Sequence, residues 1–497
     1  MPSVILSIDQ GTTGTTALLV DRRARVVASG YAELPQHYPR PGWVEHDPQE
    51  MLSTTRIAIQ RALAHARLRA RAVAAVGITN QRETTLIWDR RTGRAVARAI
   101  VWQCRRTAPL CEQLSSAGHA PEFRRKTGLV LDAYFSGTKI RWLLDHVPGL
   151  RARARRGSVA FGTVDSWLLW WLSGGAQHAT DFTNASRTLL YNIRTRRWDP
   201  ALLRLLGVPR ALLPVVKPSS SVFGYTARWA PLPDGIPISG MAGDQQASMV
   251  GHGCLRPGMA KNTYGTGCFL LVNTGRRFIL SRHGLITTLI YDGNATPGYA
   301  LEGSVFIAGA AIQWLRDGLR LIRTAAETEG IARRVQDTGG VYVVPAFVGL
   351  GAPYWDMGAR GAVIGLTRGT TREMLVRATL ESLAYQTCDV VRAMEQDSGL
   401  RLPRLQVDGG ATKNDWLMQF QADLLGIPIV RPAMVANTGK GAAFLAGIGI
   451  NWWSPRDIAR FVGRPERIFT PRMSVRERCC RYEGWQAAVA RVRTHSR

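Results

Sequence analysis

Lysine is scarce in this chain of 497 residues. Only six of its 64 basic residues are lysines, so 58 are arginines, and 36 acidic residues leave a net charge of +28. The arginines are spread over amphipathic stretches such as 60–71 and over a dense final segment, 454–497. Basic and aromatic residues do not alternate in the way that stacks single-stranded nucleic acid. We interpret the charge as solvated helix faces and expect no specific nucleic-acid partner, with nucleic-acid binding kept open as an alternative.

Cysteine and long apolar runs are also scarce. The seven cysteines lack the spacing of metal ligands, since Cys104 and Cys111 are seven positions apart and Cys479 and Cys480 are adjacent. Their odd number fits a reducing compartment rather than a disulfide scaffold. The amino terminus lacks the basic start and apolar core of a signal peptide, and no run approaches the roughly 20 apolar residues that cross a bilayer. The sequence predicts a cytoplasmic protein without a membrane partner.

The length and the 45% apolar content allow two or three domains with sizeable cores. Apolar runs at 4–8 and 17–20 are typical of strands, and the segment between them, Asp9 to Thr16, is rich in glycine and threonine. A related unit begins the second half, where 261–267 precedes another apolar run. This weak duplication, with strands and helices alternating in both halves, predicts a layered α/β architecture with two similar domains facing a cleft. The expected domains are residues 1–250 and 251–497.

Three helices and one short strand have clear local signals. Asp47 and Pro48 form an N-terminal cap, with Glu50 able to reach back, for a helix running toward Ala66. A second helix opens in 370–373, and Gly399 ends it. The remaining signals are a strand at 405–407, a cap at Asn414 and a helix end at Gly426 and Pro428.

Familiar nucleotide-binding loops are absent. Gly439-Lys440-Gly441 resembles a Walker lysine, but position 434 is Met where a glycine is required, and Gly441 replaces the hydroxyl residue that binds magnesium. The segment 265–270 lacks the third glycine of a dinucleotide fingerprint. Any nucleotide site must therefore use another architecture.

The turn from Asp9 to Thr16 suggests one. Its glycines let backbone N–H groups approach phosphate, its threonines add hydroxyl donors, and Asp9 can hold Mg²⁺ directly or through water. Alone, the turn fits an ordinary polar hairpin equally well. Three further loops favour a phosphate site over a hairpin, because magnesium with a triphosphate needs binding loops on opposite sides. They are 263–267, 408–411 and 240–245, the last of which sets Asp244 among small residues.

These segments, in this order, closely resemble the glycerol kinase family, which belongs to the FGGY carbohydrate kinases with the actin-like ATPase fold. The resemblance runs from about Val4 to Gly447 and includes 41–48 and 349–356. Its motifs are Asp9-Gln10-Gly11-Thr12-Thr13, Asn80-Gln81-Arg82-Glu83-Thr84-Thr85, Val101-Trp102-Gln103-Cys104-Arg105-Arg106, Gly243-Asp244-Gln245-Gln246, Asn262-Thr263-Tyr264-Gly265-Thr266-Gly267 and Val407-Asp408-Gly409-Gly410. The resemblance implies an α/β protein with two actin-like ATPase (ribonuclease H-like) domains facing a central cleft.

The resemblance also implies an activity and a site. The activity is ATP-dependent phosphorylation of glycerol to sn-glycerol 3-phosphate, the first step of glycerol catabolism, with Mg²⁺ as cofactor. Asp244 is the implied catalytic base, and Asp9 and Asp244 are the implied metal ligands. The implied glycerol-binding residues are Arg82, Glu83, Tyr134, Asp244 and Gln245, with Trp102 and Phe269 facing the carbon chain. The implied nucleotide contacts are Thr12, Thr13, Gly14, Thr266, Gly309, Gln313, Gly410 and Asn414.

Each of these residues also has a structural interpretation. Arg82 and Glu83 could form a surface ion pair, Trp102 and Phe269 could belong to the core, and Asp244 could cap its own helix. It is their joint occurrence that favours the kinase.

The sequence departs from the family in places. Thr16 stands where many relatives carry an arginine close to the phosphates, and 227–235 lacks a glycine-rich loop that serves sugar-bisphosphate inhibition in some members. The segment 474–482 also departs from the surface that some relatives offer a transport protein. We expect a homo-oligomer, either a dimer or a tetramer. The nearest alternative is a kinase of another polyol or of a ketose with the same ATP machinery.

Overall fold

The fold is described by a computed structural model that covers residues 3–433, 436–463 and 465–494. Met434 lies outside these ranges. The strands are β1 (Val4–Gln10), β2 (Gly14–Asp21), β3 (Val26–Glu33), β4 (Glu45–His46), β5 (Val73–Asn80), β6 (Leu86–Asp89), β7 (Ala99–Ile100), β8 (Val159–Gly162), β9 (Ala179–Asp181), β10 (Tyr191–Asn192), β11 (Arg197–Trp198), β12 (Val215–Lys217), β13 (Ser220–Tyr225), β14 (Pro237–Gly243), β15 (Ala260–Tyr264), β16 (Cys268–Gly275), β17 (Ile286–Ile290), β18 (Gly298–Val305), β19 (Tyr342–Val344), β20 (Ala362–Ile364), β21 (Leu405–Asp408), β22 (Ile429–Pro432) and β23 (Pro465–Phe469).

Helices follow or separate most of these strands. They are α1 (Pro48–Ala66), α2 (Ala108–Ser116), α3 (Ala120–Thr127), α4 (Ser136–His146), α5 (Leu150–Arg155), α6 (Val164–Leu172), α7 (Phe182–Ala185), α8 (Pro200–Leu206), α9 (Asp244–Gly251), α10 (Gly309–Gln313), α11 (Glu327–Ala332), α12 (Arg372–Ser398), α13 (Asp415–Leu425), α14 (Asn437–Gly449), α15 (Pro455–Phe461) and α16 (Val475–Ala490). A π-helical turn, Trp314–Gly318, continues α10.

The first large sheet has six strands in the order β13-β14-β5-β1-β2-β3. Strand β1 pairs antiparallel with β2, so that Asp9 lies opposite Thr16, and parallel with β5. Strand β1 is buried almost throughout, as its continuous apolar run predicts for a strand covered on both faces. The ends of β1, β5 and β14 therefore bring Asp9, Asn80 and Gly243 to one edge of the sheet.

The second large sheet repeats this pattern. Its order is β17-β18-β16-β15-β21-β22-β23, with β15 antiparallel to β16 and parallel to β21. The turn between β15 and β16 corresponds to the turn between β1 and β2, and Thr263 lies opposite Asp408 in the parallel pair. The α/β class and the duplication that the two glycine-rich units predict are both confirmed.

Helix α14 crosses from the second half of the chain to the first sheet. A Cβ atom at Gly77 would lie 2.3 Å from the Ala442 carbonyl oxygen, and one at Gly240 would lie 2.3 Å from the Ala446 nitrogen. These two glycines let the helix backbone approach the strands more closely than any larger residue would allow. The division into 1–250 and 251–497 stays a prediction, and α14 shows that residues beyond 250 help to cover the first sheet.

The helix ends follow their sequence signals closely. Helix α1 spans the predicted residues, and the Asp47 carboxylate accepts from the Gln49 N–H. Glu50 does not reach back to the cap, because its carboxylate lies 3.0 Å from His37 Nε2. The other caps agree with prediction: Thr371 begins α12, Asn414 begins α13, and Gly399 and Gly426 end them at φ +68° and +70°.

Three remaining features are the cysteine thiols, the polarity of the helices and the ion pairs of the arginines. All seven cysteines are free thiols, and only Cys479 and Cys480 are exposed. Within the described ranges, the helices are too short or too polar to span a membrane. Several arginines pair with an acidic residue of their own helix, as Arg141 does with Asp145 on α4. This agrees with the interpretation that the arginines lie on solvated helix faces.

Candidate active site

The β1–β2 turn forms a tight loop of small and hydroxyl residues. The Gly11 N–H donates to the Gly14 carbonyl at 2.9 Å, which closes the loop around Thr12 and Thr13. A Cβ atom at Gly14 would lie 2.4 Å from the Tyr31 hydroxyl oxygen, so a side chain at Gly14 would displace Tyr31. The predicted residues Thr12, Thr13 and Gly14 thus form one loop directly after Asp9.

Asp244 stands at the first position of α9, at the end of β14. Its Oδ1 accepts the Gln245 N–H at 2.7 Å and lies 3.2 Å from Arg82 Nε. The side chain keeps 29% of its surface exposed, whereas that of Arg82 is buried. Asp244 therefore does bond to its own helix, and its carboxylate is also accessible from the cleft.

Three carboxylates influence one another where the two sheets meet. Burial, followed by the charges of Asp244 and Asp408, raises the pKa of Asp9 to about 7. Burial would also raise the pKa of Asp408, but His252, 3.0 Å away, and Lys261 hold it at about 2. The Oδ1 atom of Asp408 is buried without a hydrogen-bond partner among the described residues. This concentration of negative charge favours a cation.

The carboxylates also bear on metal binding. Within 3–433, 436–463 and 465–494, no group of three or more His, Cys, Asp or Glu side chains is arranged to hold a metal ion by itself. Mg²⁺ is commonly bound by one or two carboxylates together with substrate phosphates and water. Asp9 and Asp244 provide that number of carboxylates beside the glycine-rich turn, so the residues fit Mg²⁺ that arrives with a phosphate ligand.

A buried network of four charged side chains adjoins Asp244 through its contact with Arg82. Arg82 donates to both carboxylate oxygens of Glu302 at 2.7 Å, and Arg187 Nε donates to Glu83 at 2.5 Å. Burial would raise the pKa of Glu302, but Arg187 and Arg82 hold it at about 2. Burial raises the pKa of Glu83 despite its two arginine neighbours. Arg82 and Glu83 are therefore not a surface ion pair, because each is almost fully buried.

Aromatic rings form a wall beside this network. The Trp102 ring centroid lies 5.6 Å from that of Tyr134 and 6.1 Å from that of Phe269, both edge to face. The Arg82 guanidinium carbon lies 5.9 Å from the centre of the Phe269 ring. Tyr134 is buried, while Trp102 and Phe269 are only partly so, which leaves apolar surface facing the cleft.

Gln245 is held by a buried lysine. Lys261 Nζ donates to Gln245 Oε1 and, at 2.9 Å, to the Thr263 hydroxyl. Burial lowers the pKa of Lys261 to about 8, although the charges of Asp408 and Asp244 oppose this shift. The lysine thus places a positive charge between the two sheets and fixes the Gln245 amide.

A cavity of about 360 Å³ lies in the second half of the chain, between α10, α11 and the start of α13. Four of the five nucleotide residues predicted in that half line it: Gly309, Gln313, Gly410 and Asn414. The fifth, Thr266, does not line the cavity but adjoins it, since its carbonyl accepts from the Ala308 N–H at 2.8 Å. Asn414 caps α13 and donates to the Thr328 hydroxyl at 3.2 Å.

A larger groove, of about 1120 Å³, lies elsewhere and contains none of the predicted residues. Its charged lining consists of Arg256, Arg404, Arg456 and Asp292. Convergent polar groups indicate a site better than size does, so the smaller cavity and the cleft beside Asp244 are the better candidates.

The arrangement of two matching sheets around this cleft also has a known counterpart. Residues 4–251 match the N-terminal domain of the FGGY family of carbohydrate kinases, and residues 260–450 match its C-terminal domain. The chain belongs to this family.

Individual FGGY relatives cover nearly the whole chain. A glycerol kinase from Desulfitobacterium hafniense is 55% identical over 492 residues, which are 99% of this chain and 100% of that protein. A glycerol kinase from Thermus thermophilus is 54% identical over 98% of this chain and 99% of its own length. The crystal structure of Plasmodium falciparum glycerol kinase with ADP is 36% identical, with a TM-score of 0.92 and coverage of 100% of this chain and 99% of that one. The two-domain actin-like fold expected of an FGGY kinase is thus confirmed.

Three charged residues of the site escaped the sequence analysis: Arg187, Lys261 and Glu302. Two of them, Glu302 and Lys261, had a weak signal. Glu302 is an acidic residue within the apolar strand β18, and Lys261 is one of only six lysines and precedes a glycine-rich turn. A buried charge requires a partner, but the sequence does not say which residue supplies it.

Proposed function

We propose that the chain transfers the γ-phosphoryl group of ATP to a terminal hydroxyl of glycerol, forming sn-glycerol 3-phosphate. The position of Asp244 carries this proposal. Its partly exposed carboxylate lies between the buried Arg82 network on one side and the Asp9 carboxylate with its glycine-rich turn on the other. The identity of 54–55% to glycerol kinases supports the choice of substrate.

The polyol side of the cleft suits a short chain of hydroxyl groups. Arg82 offers donors, Glu83 offers an acceptor, and Gln245 and Tyr134 can do either. Trp102 and Phe269 supply apolar surface for the carbon atoms. A site of this kind discriminates against analogues that lack a hydroxyl, because buried polar groups would then be left unpaired.

Asp244 acts as the general base in this proposal. Its carboxylate accepts the proton of the terminal hydroxyl as that oxygen attacks the γ-phosphorus and the bond to the β-phosphate oxygen breaks, which releases ADP. A positioned base typically contributes about 10²–10⁴-fold in rate. The remaining acceleration must come from positioning and from charge stabilisation by the surrounding groups.

The nucleotide contacts follow the same geometry. Gly309, Gln313, Gly410 and Asn414 line the cavity that would receive the nucleoside, and Thr266 lies beside it. Thr12, Thr13 and Gly14 would contact the phosphates from the opposite sheet. Asp9 and Asp244 would hold Mg²⁺, which when bound neutralises phosphate charge.

The experiment is an assay of ADP release with purified full-length protein, ATP and Mg²⁺, comparing glycerol, erythritol and xylulose, with a no-acceptor reaction as control. We expect glycerol to have the highest kcat/KM. A preference for xylulose by orders of magnitude would favour the ketose alternative. Such kinases share the fold: a xylulose kinase from Rhodospirillum rubrum has a TM-score of 0.84 at 24% identity.

We also propose that the enzyme works in the cytoplasm as a dimer or tetramer. The seven free thiols support a reducing compartment. Light scattering coupled to gel filtration measures the mass, and a monomer at assay concentration would contradict the proposed assembly.

A further inference from the structure

Glu302 is saturated by two arginines. Its Oε1 and Oε2 accept from Arg82 at 2.7 Å and from Arg187 at 3.2 Å, so that four guanidinium N–H groups converge on one carboxylate. A carboxylate offers about four acceptor positions. Glu302 therefore has no free position for a substrate hydroxyl and can act on a substrate only through the arginines.

Arg82 is held in one orientation by this contact. Its Nη1 also lies 3.3 Å from Gln246 Oε1, and its Nε lies 3.2 Å from Asp244. One N–H group of Nη2 has no acceptor among the described residues. The bidentate contact with Glu302 thus fixes the guanidinium plane and directs the remaining donor.

Arg187 does the same for Glu83. Its Nε donates to Glu83 Oε1, and none of the described residues donates to Oε2 of that carboxylate. Arg187 is fully buried and lies against the rings of Tyr134 and Phe135 at 5.5 and 5.2 Å. Glu83 has a positive φ of +60°, an uncommon conformation for a residue other than glycine. The ion pair with Arg187 helps to hold this strained residue in place.

We propose that Arg187 and Glu302 are positioning residues of the polyol site, which hold Glu83 and Arg82 so that one acceptor and one donor face the substrate. This inference rests on the proposed function. Glu302 lies on β18 of the second sheet, whereas Arg82 and Glu83 follow β5 of the first. The polyol site therefore depends on a contact between the two halves of the chain.

The test is steady-state kinetics of the full-length enzyme with the variants Glu302→Gln and Arg187→Lys. Glutamine has the shape of glutamate but turns an N–H₂ group toward guanidinium donors, and lysine cannot make the forked contact of arginine. For both, we expect the KM for glycerol to rise about 10- to 100-fold while the KM for ATP changes less than about twofold. Calorimetric titration with glycerol in the absence of ATP should show the same loss of affinity.

Two further variants separate positioning from stability. Glu381→Gln removes another buried carboxylate, paired with Arg377 at 2.9 Å on α12, and should leave the KM for glycerol unchanged. The double variant Arg187→Gln with Glu302→Gln removes one positive and one negative charge. The network then keeps the balanced charges of Arg82 and Glu83. If the network is only structural, the double variant should recover both its melting temperature and its KM for glycerol. We expect the melting temperature to recover and the KM to stay raised.

The outcomes distinguish the two proposals. Wild-type enzyme that releases no ADP with glycerol would overturn the proposed function. The wild-type enzyme could turn over glycerol while folded Glu302→Gln or Arg187→Lys has an unchanged KM for glycerol. That result would overturn the positioning role alone. A double variant with wild-type glycerol affinity would do the same, including when either single variant fails to fold.

Discussion

Trp102 donates its indole N–H to the hydroxyl of Thr12 at 2.9 Å. One residue belongs to the aromatic wall beside Arg82, and the other to the glycine-rich turn after Asp9. The hydrogen bond therefore joins the region proposed for the polyol to the region proposed for the phosphates. Gln81, which precedes Arg82, also bonds to this turn, through Gln10 Oε1 and the Gly11 carbonyl at 3.1 Å.

We expect Trp102→Phe to affect the nucleotide more than the polyol, because a smaller aromatic ring still faces the cleft whereas the hydrogen bond to the Thr12 hydroxyl is lost. Loss of one neutral hydrogen bond of about 0.5–1.5 kcal/mol corresponds to a roughly 2- to 10-fold fall in kcat/KM for ATP. Trp88→Phe is the matched control, since the Trp88 indole N–H has no partner among the described residues. Equal kinetic effects in the two variants would contradict a specific role for the Trp102 bond.

Asp244→Asn should reduce kcat by about 10²–10⁴-fold with only a modest change in ATP affinity, because Asp9 remains as a carboxylate for Mg²⁺. Asparagine keeps the shape and can still accept the Gln245 N–H through its oxygen, so α9 should begin unchanged. Rapid-mixing turnover and nucleotide titration would measure the two quantities separately. Near-normal turnover in a folded variant would remove Asp244 from the role of base.

Gly410 and Gly409 should respond differently to alanine. A Cβ atom at Gly410 meets no protein atom within 4 Å, and the residue lines the cavity proposed for the nucleoside. Gly410→Ala should therefore keep its melting temperature and raise the KM for ATP, with the KM for glycerol unchanged. Gly409 has φ +95°, and its Cβ would lie 2.2 Å from the Tyr264 carbonyl oxygen. Gly409→Ala should lose thermal stability, and equal stability of the two variants would argue against this geometry.

The sequence predicted those parts of the fold whose signals are local. Asp47 and Asn414 begin their helices and Gly426 ends one, because cap preferences depend on a few neighbouring backbone groups. The two glycine-rich turns were recognisable for the same reason, since only small residues permit their close contacts. Helix α14 was not assigned to the first sheet, because its apolar residues fit any sheet of similar shape.

The site residues also divide into those with local sequence signals and those whose partners are distant in sequence. Arg82, Glu83 and Asp244 lie within short motifs and were found, although their roles stay predictions. Glu302 pairs with Arg82 across 220 positions of sequence, and no periodicity links the two. An acidic residue in an apolar strand indicates that a buried cation exists, but 58 arginines are candidates. Only the tertiary structure selects among them.

The surplus of arginine should produce weak, salt-sensitive attraction to polyanions. Exposed arginines such as Arg25 and Arg323 pair with nearby carboxylates, but the 64 basic residues outnumber the 36 acidic ones, so a net positive charge remains. We expect duplex DNA to bind at low salt and to be released by about 150–200 mM salt, as counterion release requires. Fluorescence anisotropy against salt concentration measures this. Tight binding that persists at physiological salt would favour a nucleic-acid role.

His178 should make the fold sensitive to acid. Its Nε2 must donate to the Phe161 carbonyl at 2.7 Å, and its Nδ1 must accept from Arg90 at 2.9 Å, so the ring is held neutral. Burial lowers its pKa to about 4 from the ordinary 6.5. Because the unfolded chain binds this proton more readily, up to about 3 kcal/mol of unfolding free energy should be lost as pH falls from 6.5 to 4. Denaturant titrations should show a shallower pH dependence for His178→Gln, with His65→Gln as the exposed control, whereas equal slopes in wild type and His178→Gln would contradict the assignment.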